Sequence, residues 1–161
     1  MKSSINFLKY IIIILLIISC DKKEKGQPMI NMSLKDVTGY KKLAIKNGDI
    51  KAYNSLSSDY VDSPYEGLLY TALIMANKYE YPLAYEDTYY CLTDYYHKKR
   101  FTELEDIDPA TRKMALDYLK KGAEKGNKEC KKILGNHYLE GKYIEKDTIK
   151  GNQLIKESES Y

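Results

Sequence analysis

One spacing recurs three times in this chain and restricts the backbone to a single kind of unit. Ala44 is followed by Ala52, Leu56 and Tyr60, and Ala76 by Ala84, Thr88 and Leu92. In both copies a Lys lies two residues after the first Ala and a Tyr directly after the second. After a one-residue deletion, Ala123, Cys130, Leu134 and Tyr138 repeat the order, with Gly126-Asn127 in the place of Gly48-Asp49. A small residue on each of two helices lets their backbones approach near a turn, and the larger residues one and two turns later fill the widening gap. Such a hairpin cannot bury its apolar face alone, so successive hairpins are expected to stack into a solenoid.

The remaining signals agree with an all-α chain, because no stretch alternates apolar and polar residues for long enough to make a strand. A first helix is predicted from about Ser33, capped by Ser33 or Asp36, to a stop at Asn47-Gly48. Asp49 caps a second helix to about Tyr60. The Asp62-Ser63-Pro64 turn starts a third, running through Leu68, Leu69, Ala72, Leu73, Met75 and Ala76. Pro82 opens a long fourth helix reaching about Arg100. After the acidic loop Phe101 to Asp108, Asp108-Pro109 starts a fifth helix to Gly126. Asn127 caps a sixth that ends at Gly141, and a polar, frayed helix follows from about Asp147.

The N-terminus is of another kind. Lys2 and Lys9 precede an apolar run from Ile11 to Ile18 that is too short to span a bilayer, and Ser19-Cys20 closes it. The tetrad Ile17-Ile18-Ser19-Cys20 resembles the lipobox of bacterial lipoproteins. The resemblance implies that residues 1–19 are a signal peptide and that Cys20 takes a diacylglyceryl group and becomes the acylated N-terminus, a lipid anchor in the cell envelope. Residues 20–32 then form a charged tether containing Gly26 and Pro28, and residues 33–161 form the domain. Asp21 resembles an inner-membrane retention signal, whereas Asp21 to Lys25 resembles a surface-export signal, so the periplasmic and surface faces both stay open. Lys2 and Lys9 are the only charges in the removed segment, so 26 basic residues become 24 against 23 acidic ones. That balance gives nucleic-acid binding no electrostatic support.

Residues Met114 to Asn127, then Cys130, Leu134-Gly135, Tyr138 and Gly141, are similar to a Sel1-like repeat, a relative of the tetratricopeptide repeat. Tyr143-Ile144 fall near the Gly-Val of that pattern, and Asp147 with Lys150-Gly151 continues like the start of another unit. The match is specific over residues 110–151, and the two earlier units keep only the small residues. The resemblance implies a short right-handed array of antiparallel helix pairs whose inner face binds another protein.

Residues that could carry chemistry are few. Tyr81, Tyr85 and Tyr89 lie four apart on one helix face, and with Tyr96 they form the candidate partner-binding surface, since Tyr offers rigid area with a polar tip. The competing reading places the same rings in the core. Glu86-Asp87 reads as a solvated face because neighbouring helix residues point in different directions. Glu103 to Asp108 reads as a helix lead-in, and His97 to Arg100 as a basic helix end. Cys91 and Cys130 read as small buried residues, with a disulfide permitted by an exported location. His97 and His137 have no ligand spacing, so no metal or cofactor is expected.

With no nucleophile, base or metal set, the chain reads as a non-catalytic protein-binding lipoprotein. One version is an immunity protein against an envelope-acting toxin. The alternative is a structural or assembly scaffold of the envelope.

Overall fold

A computed structural model of the chain describes residues 32–60, 67–93 and 104–160. Among the described residues there are seven α helices and no strand. They are α1 (Leu34–Asn47), α2 (Ile50–Tyr60), α3 (Leu69–Tyr79), α4 (Pro82–Thr93), α5 (Pro109–Glu124), α6 (Lys128–Glu140) and α7 (Thr148–Glu159), with a 3-10 turn at Leu104–Asp106 before α5. No described helix is long and apolar enough to cross a membrane.

Local chemistry sets most of the boundaries. Ser33, rather than Asp36, caps α1, its Oγ accepting the Asp36 N–H at 3.3 Å. Asp49 accepts from Ala52 N–H at 3.0 Å, Asn127 from Cys130 N–H at 2.7 Å and Asp147 from Lys150 N–H at 2.9 Å. Asp108 takes the N–H groups of both Ala110 and Thr111, each at 3.0 Å, ahead of Pro109 at the first turn. Each such cap is worth about 1 kcal/mol. Gly48 and Gly141 end α1 and α6 with φ of 66° and 70°, where a glycine carries no strain. Two expectations fall partly outside the described residues. The third helix runs from Leu69, and the Asp62-Ser63-Pro64 turn expected to lead into it lies outside them. The described part of α4 ends at Thr93, and the expected continuation to Arg100, including Tyr96 and His97, lies outside them, as does Cys20.

The recurring spacing has a common structural meaning. Ala44, Ala52, Ala76, Ala84, Ala123 and Cys130 are all buried, and so are Leu56, Thr88 and Leu134 one turn on. Tyr138, two turns on, packs against the core with part of its surface exposed, as do Tyr60 and Leu92 at the same step. Contacts between α1 and α2, α3 and α4, α4 and α5, α5 and α6, and α6 and α7 carry the packing, with α1–α3 and α4–α6 contacts joining alternate helices. The turns are laced to one another. The Tyr79 hydroxyl donates to the Ile45 and Lys46 carbonyls at 3.1 and 2.8 Å, covering the C-terminus of α1. Lys125, after α5, pairs with Glu80, after α3, at 2.6 Å.

α7 departs from the frayed helix expected for so polar a sequence. It is docked on α6 through two facing glycines: a Cβ on Gly135 would lie 2.9 Å from the Gly151 carbonyl, and one on Gly151 would lie 2.9 Å from the Gly135 carbonyl. Backbone meets backbone there, and the Lys131–Glu157 pair at 2.7 Å closes the same interface.

Candidate functional site

α4 sits between α3, α5 and α6, and this coverage decides the fate of the tyrosine stripe. Tyr85 and Tyr89 are 4% and 6% exposed and belong to the core. The Tyr85 ring packs 6.1 Å from that of Tyr118, and burial pushes its phenol above the ordinary value. Tyr81 is half-buried, its hydroxyl donating to Asn54 Oδ1 at 2.9 Å and its ring meeting Tyr53 edge-on at 5.8 Å. Tyr96 lies outside the described residues. Of the four candidate contact residues, then, two are interior and one is committed to an internal hydrogen bond. A helix packed on several sides buries its aromatic stripe whichever way it faces.

Glu86 and Asp87 overturn the expectation of a solvated face. They do diverge, as adjacent helix residues must, but each meets a neighbouring helix, Asp87 buried and Glu86 half-buried. Asp87 is only 4% exposed. It accepts from the Tyr53 hydroxyl at 2.6 Å and from Ser57 at 3.2 Å, both on α2. Burial pushes its carboxyl up to about 6 against the opposing pull of these two hydrogen bonds, and the Glu86 charge adds to the rise. Glu86 points the other way and accepts from Asn127 Nδ2, the cap of α6, at 2.8 Å, with burial raising its carboxyl as well. The buried Asp87 and the half-buried Glu86 thus clamp α4 to α2 and to the start of α6. Tyr53-x3-Ser57 places two hydroxyls on one face of α2, but nothing in that spacing says that they meet Asp87.

The thiols are passive. Cys130 is a free, buried thiol, so no disulfide joins it to Cys91, and burial pushes both thiols up and away from the reactive thiolate. Among the described residues no group of three His, Cys, Asp or Glu side chains is placed to hold a metal ion.

An accessible apolar groove lies elsewhere, between α1 and α3. A cavity of about 360 Å³ is lined by Ile45, Tyr70, Leu73, Ile74, Asn77 and Lys78. Tyr70 stands 67% exposed at its edge. The opposite face of α3, carrying Ala72, Met75 and Ala76, is fully buried, so α3 is apolar on both sides. Asn77 donates to the Tyr118 hydroxyl at 2.6 Å and fixes the groove against α5. Sequence reading passed over Tyr70, since an exposed apolar residue in an apolar helix carries no periodic mark.

The fold therefore defines an all-helical domain of packed hairpins with an apolar groove on one face. No protein-family model, curated protein or solved structure matches the chain.

Proposed function

We propose that this chain is a lipid-anchored, non-catalytic binding module of a bacterial cell envelope, built from Sel1-like helix pairs in a short right-handed solenoid. The observation that carries the reading is the groove beside Tyr70. A large aromatic left mostly in water at the mouth of an apolar cleft is the kind of anchor that protein interfaces use. The burial of the small residues in all three hairpins supports the repeat assignment. Twelve tether residues after Cys20 reach roughly 40 Å when extended, enough to present the groove to a partner fixed in or near the membrane. A toxin that acts on the envelope is one such partner, in which case this is an immunity protein. A resident envelope complex is the other.

A photo-crosslinking residue placed at Tyr70 in living cells tests the reading, with Lys132, exposed on α6, as the control position. A discrete adduct is expected at position 70 and none at 132, with the adduct reduced about tenfold or more when Leu73 is also replaced by Glu. No adduct, or the same adducts from both positions, would remove the groove as the binding surface. Cells tested with and without the protein against a toxin encoded beside it would separate the two partner classes.

A further inference from the structure

A second cavity, of about 500 Å³, lies away from the Tyr70 groove, between α5 and the segment that joins α6 to α7. Its size is that of small-molecule sites, about 300–1,000 Å³. α5 lines it with Arg112, Lys113, Leu116 and Lys120 and the single lining carboxylate Asp117, and the segment after α6 lines it with Tyr143 and Ile144. Lys113 occupies Asp117 through an ion pair of 2.8 Å. That hydrogen bond, with the charges of Lys113, Lys120 and Lys121, holds the Asp117 carboxyl below its ordinary value. Arg112 is already oriented, its Nη1 donating to the Leu104 carbonyl at 3.2 Å. The wall is therefore preorganised and net positive.

Tyr143 supplies the independent mark. Its backbone is left-handed, φ 70°, two residues after Gly141 in the same conformation. A non-glycine residue there costs about 1–2 kcal/mol, which a glycine would avoid. Its ring is approached by two cations, 5.7 Å from the Arg112 guanidinium and 5.4 Å from the Lys142 ammonium, which also pairs with Glu105 at 3.2 Å. It also meets the His137 ring edge-on at 5.9 Å. The Tyr143 hydroxyl and both His137 ring nitrogens are buried with no hydrogen-bond partner. Burial holds His137 below its ordinary value, so the ring is neutral at pH 7 and carries one N–H donor.

We propose that this cavity binds a small amphipathic anion, an oxyanion group against Arg112 and Lys120 with an apolar body over Leu116, Tyr143 and Ile144. Two sources share that chemistry: a free organic phosphate and a phospholipid headgroup. Phenyl phosphate titrated calorimetrically into the full chain in non-ionic detergent tests the site. Saturable binding is expected, about tenfold or more tighter than for inorganic phosphate and weakened about tenfold or more by Lys120→Gln. Tyr143→Gly suits the backbone and removes the aromatic floor, so it should keep the helical spectrum while losing the preference for the phenyl group. Phosphatidylglycerol in mixed micelles of the same detergent that displaces phenyl phosphate assigns the site to a headgroup, and micelles that do not displace it assign it to a free molecule. Absence of saturable binding, or binding unchanged in both Lys120→Gln and Tyr143→Gly, overturns the proposal.

Discussion

Replacing Asp87 by Asn is expected to raise the melting temperature at pH 8 by about 5–10 °C and to change it little at pH 4. Oδ1 of the amide can still accept from Tyr53, and its Nδ2 can donate to the Ser57 hydroxyl, so both links to α2 survive. What disappears is the cost of ionising a carboxyl that is only 4% exposed. Burial raises that carboxyl from 3.8 to about 6, so the folded chain binds its proton more tightly than the unfolded chain does. The associated stability is complete below about pH 4 and is lost as the pH rises through 6, a difference of about 3 kcal/mol. Glu86 is shifted the same way and leaves a residual slope in the variant. Thermal melts from pH 4 to pH 8 provide the comparison. Equal destabilisation at both ends would mean that the ionised carboxylate is stabilised by its partners and that this reading of the clamp is wrong.

The second large effect concerns glycine, at two helical positions with opposite outcomes. Gly122→Val is expected to destabilise the fold by about 3–5 kcal/mol, at the upper end for overpacking. A Cβ at Gly122 would lie 2.5 Å from Cys130 Sγ and 2.9 Å from Tyr85 Cβ, where α4, α5 and α6 converge. Tyr85 Cβ is fixed to the backbone of α4 and cannot swing aside. Gly39, exposed on α1, has nothing within 4 Å of an added Cβ, and Gly39→Ala should gain about 0.5–1 kcal/mol from helix propensity alone. Chemical denaturation of the two variants separates packing from propensity. A mild effect at Gly122 would show that the three helices do not meet as closely as described.

The contrast between these glycines marks what could be read from the sequence. Small residues at Ala44, Ala52, Ala76, Ala84, Ala123 and Cys130 announce close helix approach through their spacing alone, and the Asp and Asn caps announce where helices start. Both depend on neighbours within a few residues. The burial of Asp87 depends on Tyr53 and Ser57, which reach it from another helix, and no local pattern reports that. Tyr85 and Tyr89 fail as surface residues for a related reason: periodicity places them on one face but does not say that α4 is covered on several sides. Gly135 and Gly151 read as weak points in polar helices, yet their missing side chains are what let α6 and α7 touch. Tyr143 carries no sequence mark of its left-handed backbone beyond its closeness to Gly141, and Tyr70 none of its exposure.

Everything proposed for the groove presumes delivery to a membrane surface, which rests on Cys20 and its resemblance to a lipobox. Cys20→Ala removes the acceptor thiol and with it the acyl chains, and one acyl chain alone gives only marginal membrane binding. Cells grown with an alkyne fatty acid and then fractionated provide the decisive comparison. The unaltered chain should carry the label and sediment with membranes, and the Cys20→Ala chain should lose the label and appear in the soluble envelope fraction or retain its signal peptide. An unlabelled native chain, or a Cys20→Ala chain still labelled and processed like the native one, would contradict lipid anchoring at Cys20.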